Sequence, residues 1–145
     1  MNIINEMKLS FPSKSCNEAF ARSAVSAFVM NLDPTVEELS DLKTAVSEAV
    51  TNCIVHGYRR KSGVIYINGR ITDGNKVTVK IRDKGCGIAD VKQAMEPLFT
   101  TAPEEERAGL GFAVMQSFCD KVRVTSKPDK GTTVTLEKVL SRHDS

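Results

Sequence analysis

The sequence is poor in the features that mark several protein classes. Its four cysteines, Cys16, Cys53, Cys86 and Cys119, form no Cys-x-x-Cys pair, which argues against a zinc site and fits a reducing cytoplasm. No apolar run approaches the roughly 20 residues that span a bilayer, and the N-terminus lacks the pattern of a signal peptide. The net charge is only +2, which gives no electrostatic reason to expect nucleic acid as a partner. We therefore expect a cytoplasmic protein that contacts neither membrane nor nucleic acid directly.

Two common nucleotide-binding loops are missing as well. No Gly-x-x-x-x-Gly-Lys-Ser/Thr sequence is present, which excludes a P-loop. The Gly-x-Gly at positions 109–111 is not a dinucleotide-binding fingerprint. It follows an acidic segment instead of a strand, and Val114 occupies the position of the third glycine.

What the sequence does contain is a long helical pattern over residues 33–57. Asp33 suits the N-cap, Pro34 the first helical position and Gly57 the left-handed position beyond the C-terminus. Glu48 and Asn52 lie off the apolar stripe and are neighbours, because residues four apart share a helix face. Alone, this pair most simply indicates a solvated surface, although it would also suit a metal ion with a phosphate ligand.

The order of the remaining patterns predicts the fold class. We expect strands at 7–11, 64–72, 76–83, 121–125 and 132–139, and further helices from 15 or 17 to about 31 and at 110–118. Residues 85–111 have little periodicity, as is typical of a functional lid. The length fits one domain over residues 1–145, without repeat or linker. This order predicts an α+β two-layer sandwich, in which a mixed, mostly antiparallel sheet carries helices on one face.

Three short motifs are each weak signals for a ligand site. The alternation of residues 76–83 predicts that Asp83 is buried, where its carboxylate needs a donor from a ligand amino group or from a local N–H. Gly85 and Gly87 follow it and allow a sharp turn and close approach of a flat ligand. Thr132 shares a strand face with apolar residues, so its hydroxyl also needs a partner, although threonine after a turn is common in strands.

The third motif lies near residue 110. Gly109 and Gly111 are expected to precede a helix, so that free N–H groups at its N-terminus would favour a phosphate. Arg107 would add positive charge to the same site.

In this order, the motifs resemble the boxes of the GHKL ATPase and kinase superfamily, which has the Bergerat nucleotide-binding fold. The resemblance covers roughly residues 33–136, and every box is filled. The matching residues are Glu48 and Asn52; Asp83, Gly85 and Gly87; Gly109 and Gly111; and Thr132. The combination is therefore more specific than any single motif.

Further segments resemble the anti-sigma kinases of endospore-forming bacteria, a family within this superfamily. They are NEAFAR at 17–22, LDPT at 32–35, SEAVTN at 47–52, HGY at 56–58 and PLFTT at 97–101. The resemblance implies a homodimeric anti-sigma factor that inhibits a sporulation sigma factor of the sigma F type. It also implies a serine/threonine protein kinase that uses ATP and Mg²⁺, with ADP as a second nucleotide state, to phosphorylate an anti-anti-sigma protein.

The resemblance also implies a role for each matching residue. Asp83 would bind the adenine amino group with Thr132 beside it, and Asn52 would bind Mg²⁺. Glu48 would orient or deprotonate the substrate serine. Gly109, Gly111 and Arg107 would hold the β- and γ-phosphates, Gly85 and Gly87 complete the nucleotide site, and Arg22 on the first helix would contact a partner.

Three alternatives remain open from the sequence. The chain could be the related stress-response anti-sigma kinase, although the flanking segments resemble that group less. It could be a nucleotide-regulated sigma-binding module without catalysis, against which the intact Glu48 argues. It could also be a structural domain without a ligand.

Overall fold

The computed structural model describes residues 2–95 and 103–141, with the backbone alone at 93 and 103–110. The strands are β1 (Ile3–Pro12), β2 (Val64–Thr72), β3 (Lys76–Asp83), β4 (Lys121–Lys127) and β5 (Gly131–Val139). The helices are α1 (Asn17–Val29), α2 (Val36–Asn52), α3 (Val91–Met95) and α4 (Pro103–Phe118). A 3₁₀ turn (Met30–Leu32) follows α1, and a π-helical turn (Cys53–Gly57) extends α2.

The strands form a five-stranded sheet in the order β1-β2-β3-β5-β4. One sheet face packs on the helices, and its buried side chains include Ile67, Val79, Ile81 and Leu136. The predicted α+β two-layer architecture is confirmed. All pairings between the described strands are antiparallel, so these strands contain no parallel pair. Within 2–95 and 103–141, no helix has both the length and the apolar character to cross a membrane.

The N-terminus of α2 differs from the prediction. Thr35 is the N-cap: its hydroxyl accepts the Glu38 N–H at 3.0 Å, and Glu38 Oε1 accepts the Thr35 N–H at 2.9 Å. This reciprocal capping box satisfies two otherwise unpaired N–H groups. Asp33 instead adopts a left-handed φ of 52° after the 3₁₀ turn. The prediction that Asp33 caps the helix and Pro34 opens it is therefore wrong.

The C-terminus of α2 also differs. The regular helix ends at Asn52, and the left-handed conformations fall on Arg59 and Arg60, with φ of 50° and 63°, instead of on Gly57. Gly57 is small for another reason, because a Cβ there would lie 2.6 Å from Asp83 Oδ2. The predicted left-handed role of Gly57 is wrong, and close packing against Asp83 replaces it.

The predicted lid contains more helix than expected. α3 lies within it, and α4 begins at Pro103, so Gly109 and Gly111 lie inside α4 instead of before it. The prediction that these glycines expose the N-terminus of a helix is wrong. Proline is favoured at the first helical position and acidic residues suit the first turn, so the Pro-Glu-Glu-Glu sequence provides an earlier start. The PLFTT segment at 97–101 lies outside the described residues.

Candidate functional site

A cavity of about 660 Å³ opens between α2, α4 and the sheet. Its polar lining includes Asn52, Asp83 and Thr132, and its apolar lining includes Ala49, Phe112 and Val134. This volume is in the range that small-molecule sites occupy, and a few polar groups among apolar walls are typical of such sites. With Gly87, which also lines it, four residues that the sequence predicted as nucleotide ligands thus face one cavity.

At the strand end of the cavity, which we define by Asp83, Gly85, Ser126 and Thr132, the central group is the Asp83 carboxylate. It is 4% exposed, as the strand alternation predicted, and its Oδ1 accepts the Gly85 N–H at 2.9 Å. Burial raises the pKa of Asp83, and hydrogen bonds from the Gly85 N–H and the Cys53 thiol partly oppose this effect. Asp83 lines the cavity and, when ionised, can accept further hydrogen bonds there, although its burial disfavours the charged form.

Gly85 and Gly87 are required by the packing of the loop that follows Asp83. A Cβ at Gly85 would lie 2.0 Å from the Gly57 carbonyl oxygen, and Cys86 N–H donates to that same oxygen at 2.9 Å. Gly87 has φ of 74°, and a Cβ there would lie 2.1 Å from the Lys127 carbonyl oxygen. Only glycine fits both positions, so these residues hold the loop against the π-helical turn after α2 and against the end of β4.

Tyr58 lies next to the strand end, and the residue patterns alone did not identify it. Its hydroxyl donates to the Val64 carbonyl at 2.5 Å and accepts the Lys84 N–H at 2.8 Å. The phenol thereby joins the start of β2 to the residue after Asp83. The HGY segment of the family resemblance was the only signal in the sequence for this role.

Ser126 is a second residue that the sequence analysis missed. Its Oγ accepts the Ile88 N–H at 2.7 Å and lies 3.0 Å from the Gly131 carbonyl and 2.8 Å from Thr132 Oγ1. Thr132 is 8% exposed and pairs with Asp83 across β5 and β3. Ser126 thus joins the loop after Gly87 to the threonine beside Asp83.

Asn52 lines the cavity, and Glu48 and Gly111 lie beside it; we call these three residues the helix end. Here two side chains of α2 face α4. A Cβ at Gly111 would lie 3.2 Å from both terminal atoms of the Asn52 amide and 3.4 Å from Glu48 Oε2. Asn52 Nδ2 is buried and has no hydrogen-bond partner among the described residues. Burial and, secondarily, the negative charge of Glu18 raise the pKa of Glu48.

The helix end contains oxygen atoms of the kind that bind Mg²⁺. Among the described residues, no group of three or more His, Cys, Asp or Glu side chains could hold a metal alone. Mg²⁺ usually keeps several waters and binds through one or two protein oxygens together with phosphate oxygens. The side-chain oxygen of Asn52 would supply such a protein oxygen, with Glu48 nearby. The buried, unpaired Nδ2 of Asn52 is a donor that suits a phosphate oxygen. The residues present therefore fit a Mg²⁺ ion that is shared with a phosphate group.

The other predicted residues lie away from this cluster or beyond what is described. The side chain of Arg107 lies outside the described atoms, and Gly109 is described only as part of the α4 backbone. Arg22 was expected to be exposed on α1. Its side chain is 39% exposed and its Nε lies 3.0 Å from Glu18 Oε1, which also accepts the Ser47 hydroxyl. Arg22 does not line the cavity.

Comparison with known proteins gives a consistent set of matches. The family model described as a histidine kinase-like ATPase domain matches residues 11–138. Anti-sigma F factors of a Thermoanaerobacter strain and of Caldanaerobacter subterraneus subsp. tengcongensis are each 57% identical to this chain, over 140 and 143 residues. The alignments cover 97% and 99%, respectively, of both chains. The anti-sigma F factor of Halalkalibacterium halodurans is 52% identical over 139 residues, or 95% of this chain and 94% of the relative.

Solved structures give similar folds. The crystal structure of the RsbU and RsbW domains of a Mycobacterium tuberculosis protein matches 96% of this chain with a TM-score of 0.70, at 19% identity. This chain spans 33% of that protein chain, and the match at this identity concerns the fold alone. A blue-light activated histidine kinase of Erythrobacter litoralis matches 75% of this chain with a TM-score of 0.57 at 27% identity, and the match covers 32% of the kinase chain.

Proposed function

Because this chain belongs to the family of histidine kinase-like ATPase domains, together with the anti-sigma F factors, we propose that it is an anti-sigma factor with protein kinase activity. It binds and inhibits a sporulation sigma factor of the sigma F type, and it uses Mg-ATP to phosphorylate a serine of an anti-anti-sigma protein. The observation that carries the kinase proposal is a cavity lined by Asp83 and Asn52, with Glu48 beside Asn52 at Gly111.

The strand end of the cavity is proposed to bind adenine. The Asp83 carboxylate would accept a hydrogen bond from the exocyclic amino group, with Thr132 beside it. This donor would add to the Gly85 N–H, since an ionised carboxylate can accept several hydrogen bonds. The loop held by Gly85 and Gly87 would leave room for the flat base. Ala49, Phe112 and Val134 would provide the apolar walls on which a nucleobase can pack.

The helix end is proposed to orient the reacting groups. Asn52 would hold Mg²⁺ through its amide oxygen, and Gly111, Gly109 and Arg107 on α4 would contact the β- and γ-phosphates. When bound, Mg²⁺ neutralises negative charge on the phosphates. Glu48 would accept the proton of the substrate serine hydroxyl or orient that hydroxyl for attack. Its raised pKa makes it a stronger base than an ordinary carboxylate, which favours this role.

The partner surface is proposed to include α1. Arg22 is partly accessible there, and Phe20 and Met30 at this helix are large apolar side chains that are 51% and 55% exposed. The ion pair of Arg22 with Glu18 and the hydrogen bond that the Ser47 hydroxyl donates to Glu18 link this surface to the residue beside Glu48. We further propose that residues 1–145 form one domain and that the protein acts in the cytoplasm, as its length and cysteine usage suggested. Two copies are proposed to form a homodimer, as the family resemblance implies.

The decisive test of the kinase proposal is incubation of the protein with γ-labelled ATP, Mg²⁺ and the anti-anti-sigma protein, followed by mapping of the labelled residue. We expect label on one serine. Replacing Glu48→Gln should lower the rate by about 10²-fold or more, because a positioned general base contributes that much, and should leave ATP and sigma-factor binding intact. Sigma binding without any phosphotransfer by the natural protein would instead establish a nucleotide-regulated binding module.

A further inference from the structure

Ser126 lies outside the motifs that suggested a nucleotide site, yet it contacts three groups at the strand end of the cavity. Its Oγ has one proton to donate and two lone pairs to accept with. The Ile88 N–H at 2.7 Å can only donate to it, and the Gly131 carbonyl at 3.0 Å can only accept from it. The Thr132 hydroxyl at 2.8 Å can do either.

One arrangement of hydrogen atoms satisfies all three contacts. Ser126 donates its proton to the Gly131 carbonyl and accepts from the Ile88 N–H and from the Thr132 hydroxyl. If Ser126 donated to Thr132 instead, the Gly131 carbonyl would lose this donor, which is unfavourable in a half-buried network. The hydrogen-bond count therefore assigns the Thr132 proton to Ser126.

This assignment decides what Thr132 offers to a ligand. With its proton committed to Ser126, Thr132 Oγ1 has only lone pairs available toward the cavity. Asp83, its partner across the β3–β5 pair, is also an acceptor when ionised. The two adjacent side chains then match a base with an amino group at the exocyclic position and oppose one with a carbonyl there.

We propose that Ser126 is a positioning residue for base selection: it fixes the Thr132 hydroxyl as an acceptor and so favours adenine over 6-oxopurines such as hypoxanthine. The inference rests on the proposed nucleotide site and adds the group that sets its selectivity. Without Ser126, the Thr132 hydroxyl can rotate and donate into the cavity, so that a carbonyl at the same position is no longer opposed.

The test compares the affinities of the full chain for Mg-ATP and Mg-ITP by calorimetry. We expect the natural protein to prefer ATP and Ser126→Ala to lower the ATP-to-ITP affinity ratio by about tenfold, the scale of one neutral hydrogen bond. Ser126→Thr, which keeps the hydroxyl, should retain the ratio. If Ser126→Ala does not fold, Ser126→Cys carries the measurement, because a thiol is a weak acceptor.

A double-mutant comparison separates this role from a structural one. In a Thr132→Val background the ratio should already be low, and adding Ser126→Ala should not change it further. Equal loss of ATP and ITP affinity in Ser126→Ala, with the ratio preserved, would overturn the proposal. Absence of ATP binding by the natural protein would instead overturn the proposed nucleotide site itself.

Discussion

At the strand end of the cavity, polar side chains project from paired strands and already have protein partners, whereas at the helix end they project from α2 toward Gly111 of α4. Asp83 accepts from Gly85, and Thr132 contacts Ser126. Asn52 Nδ2, by contrast, has no partner among the described residues, and burial raises the pKa of Glu48.

This difference suggests that the strand end serves nucleotide recognition and the helix end serves phosphotransfer. A satisfied hydrogen-bond network is rigid, so the strand end presents the same groups with or without a ligand. In the proposed function, the unpaired Nδ2 of Asn52 and the less acidic carboxylate of Glu48 would gain partners only when phosphate, metal and substrate bind. We therefore expect changes at the strand end to affect folding and nucleotide affinity, and changes at the helix end to affect mainly the rate of phosphotransfer.

The largest expected effect is that of Gly85→Ala at the strand end. Its Cβ would lie 2.0 Å from the Gly57 carbonyl oxygen, and both groups belong to backbone that cannot move independently. We expect a loss of about 3 kcal/mol in the free energy of unfolding, as for severe overpacking, with loss of ATP binding. Urea denaturation measures the stability and calorimetry measures the ATP affinity. Unchanged stability would contradict the close contact between Gly85 and the Gly57 carbonyl.

The matched change at the helix end is Gly111→Ala. Here the added Cβ meets only the ends of the Asn52 and Glu48 side chains, at 3.2–3.4 Å, and alanine in a helix gains about 1 kcal/mol over glycine. We expect unchanged or slightly higher stability and a phosphotransfer rate about tenfold to a hundredfold lower, because the two side chains are displaced. A variant that transfers phosphate normally would contradict the placement of Gly111 beside the reacting groups.

The smallest expected effect is that of Thr35→Ala, which lies at the N-terminus of α2 and far along the chain from both ends of the cavity. Loss of the capping box should cost about 1 kcal/mol in urea denaturation and leave ATP affinity unchanged. Thr44→Ala is the control, because the Thr44 hydroxyl only donates to the Ser40 carbonyl within the helix. A large loss of ATP affinity in Thr35→Ala would show that stability and binding are not separable in this way.

Features that depend on one local pattern were predictable from the sequence. The alternation along β3 placed Asp83 on the buried face, and the spacing of four placed Glu48 beside Asn52. Both follow from the geometry of one element alone. The family resemblance then suggested a nucleotide as the ligand, which these local patterns leave open.

Features that depend on contacts between distant segments were not predictable. Ser126 acquires its role from Ile88, Gly131 and Thr132, and nothing in its own neighbourhood indicates it. The choice of Thr35 over Asp33 as the N-cap was also missed, because both residue types cap helices and the 3₁₀ turn before Asp33 decides between them. The start of α4 at Pro103 was missed as well, because Gly109 and Gly111 suggested that the helix begins later.

The pH dependence of the ligand-free protein provides a further check on the strand end. Because the folded pKa of Asp83 is raised by burial, its contribution to stability is full below the ordinary aspartate pKa and is lost as the pH rises through the folded value. Cys53 and Tyr58, which face Asp83, have raised pKa values and remain protonated in this range. Asp83→Asn should therefore remove this part of the pH dependence and increase stability near neutral pH.

The most direct test of the nucleotide site is calorimetric titration of Mg-ATP into the natural protein, Asp83→Asn and the control Asp129→Asn. Asp129 is an exposed turn residue with a left-handed φ of 63° that asparagine tolerates. We predict that Asp83→Asn folds but binds ATP about a hundredfold more weakly, because the adenine amino group loses its charged acceptor, while Asp129→Asn binds normally. Equal ATP affinity of Asp83→Asn and the natural protein would contradict the assignment of this cavity as the nucleotide site.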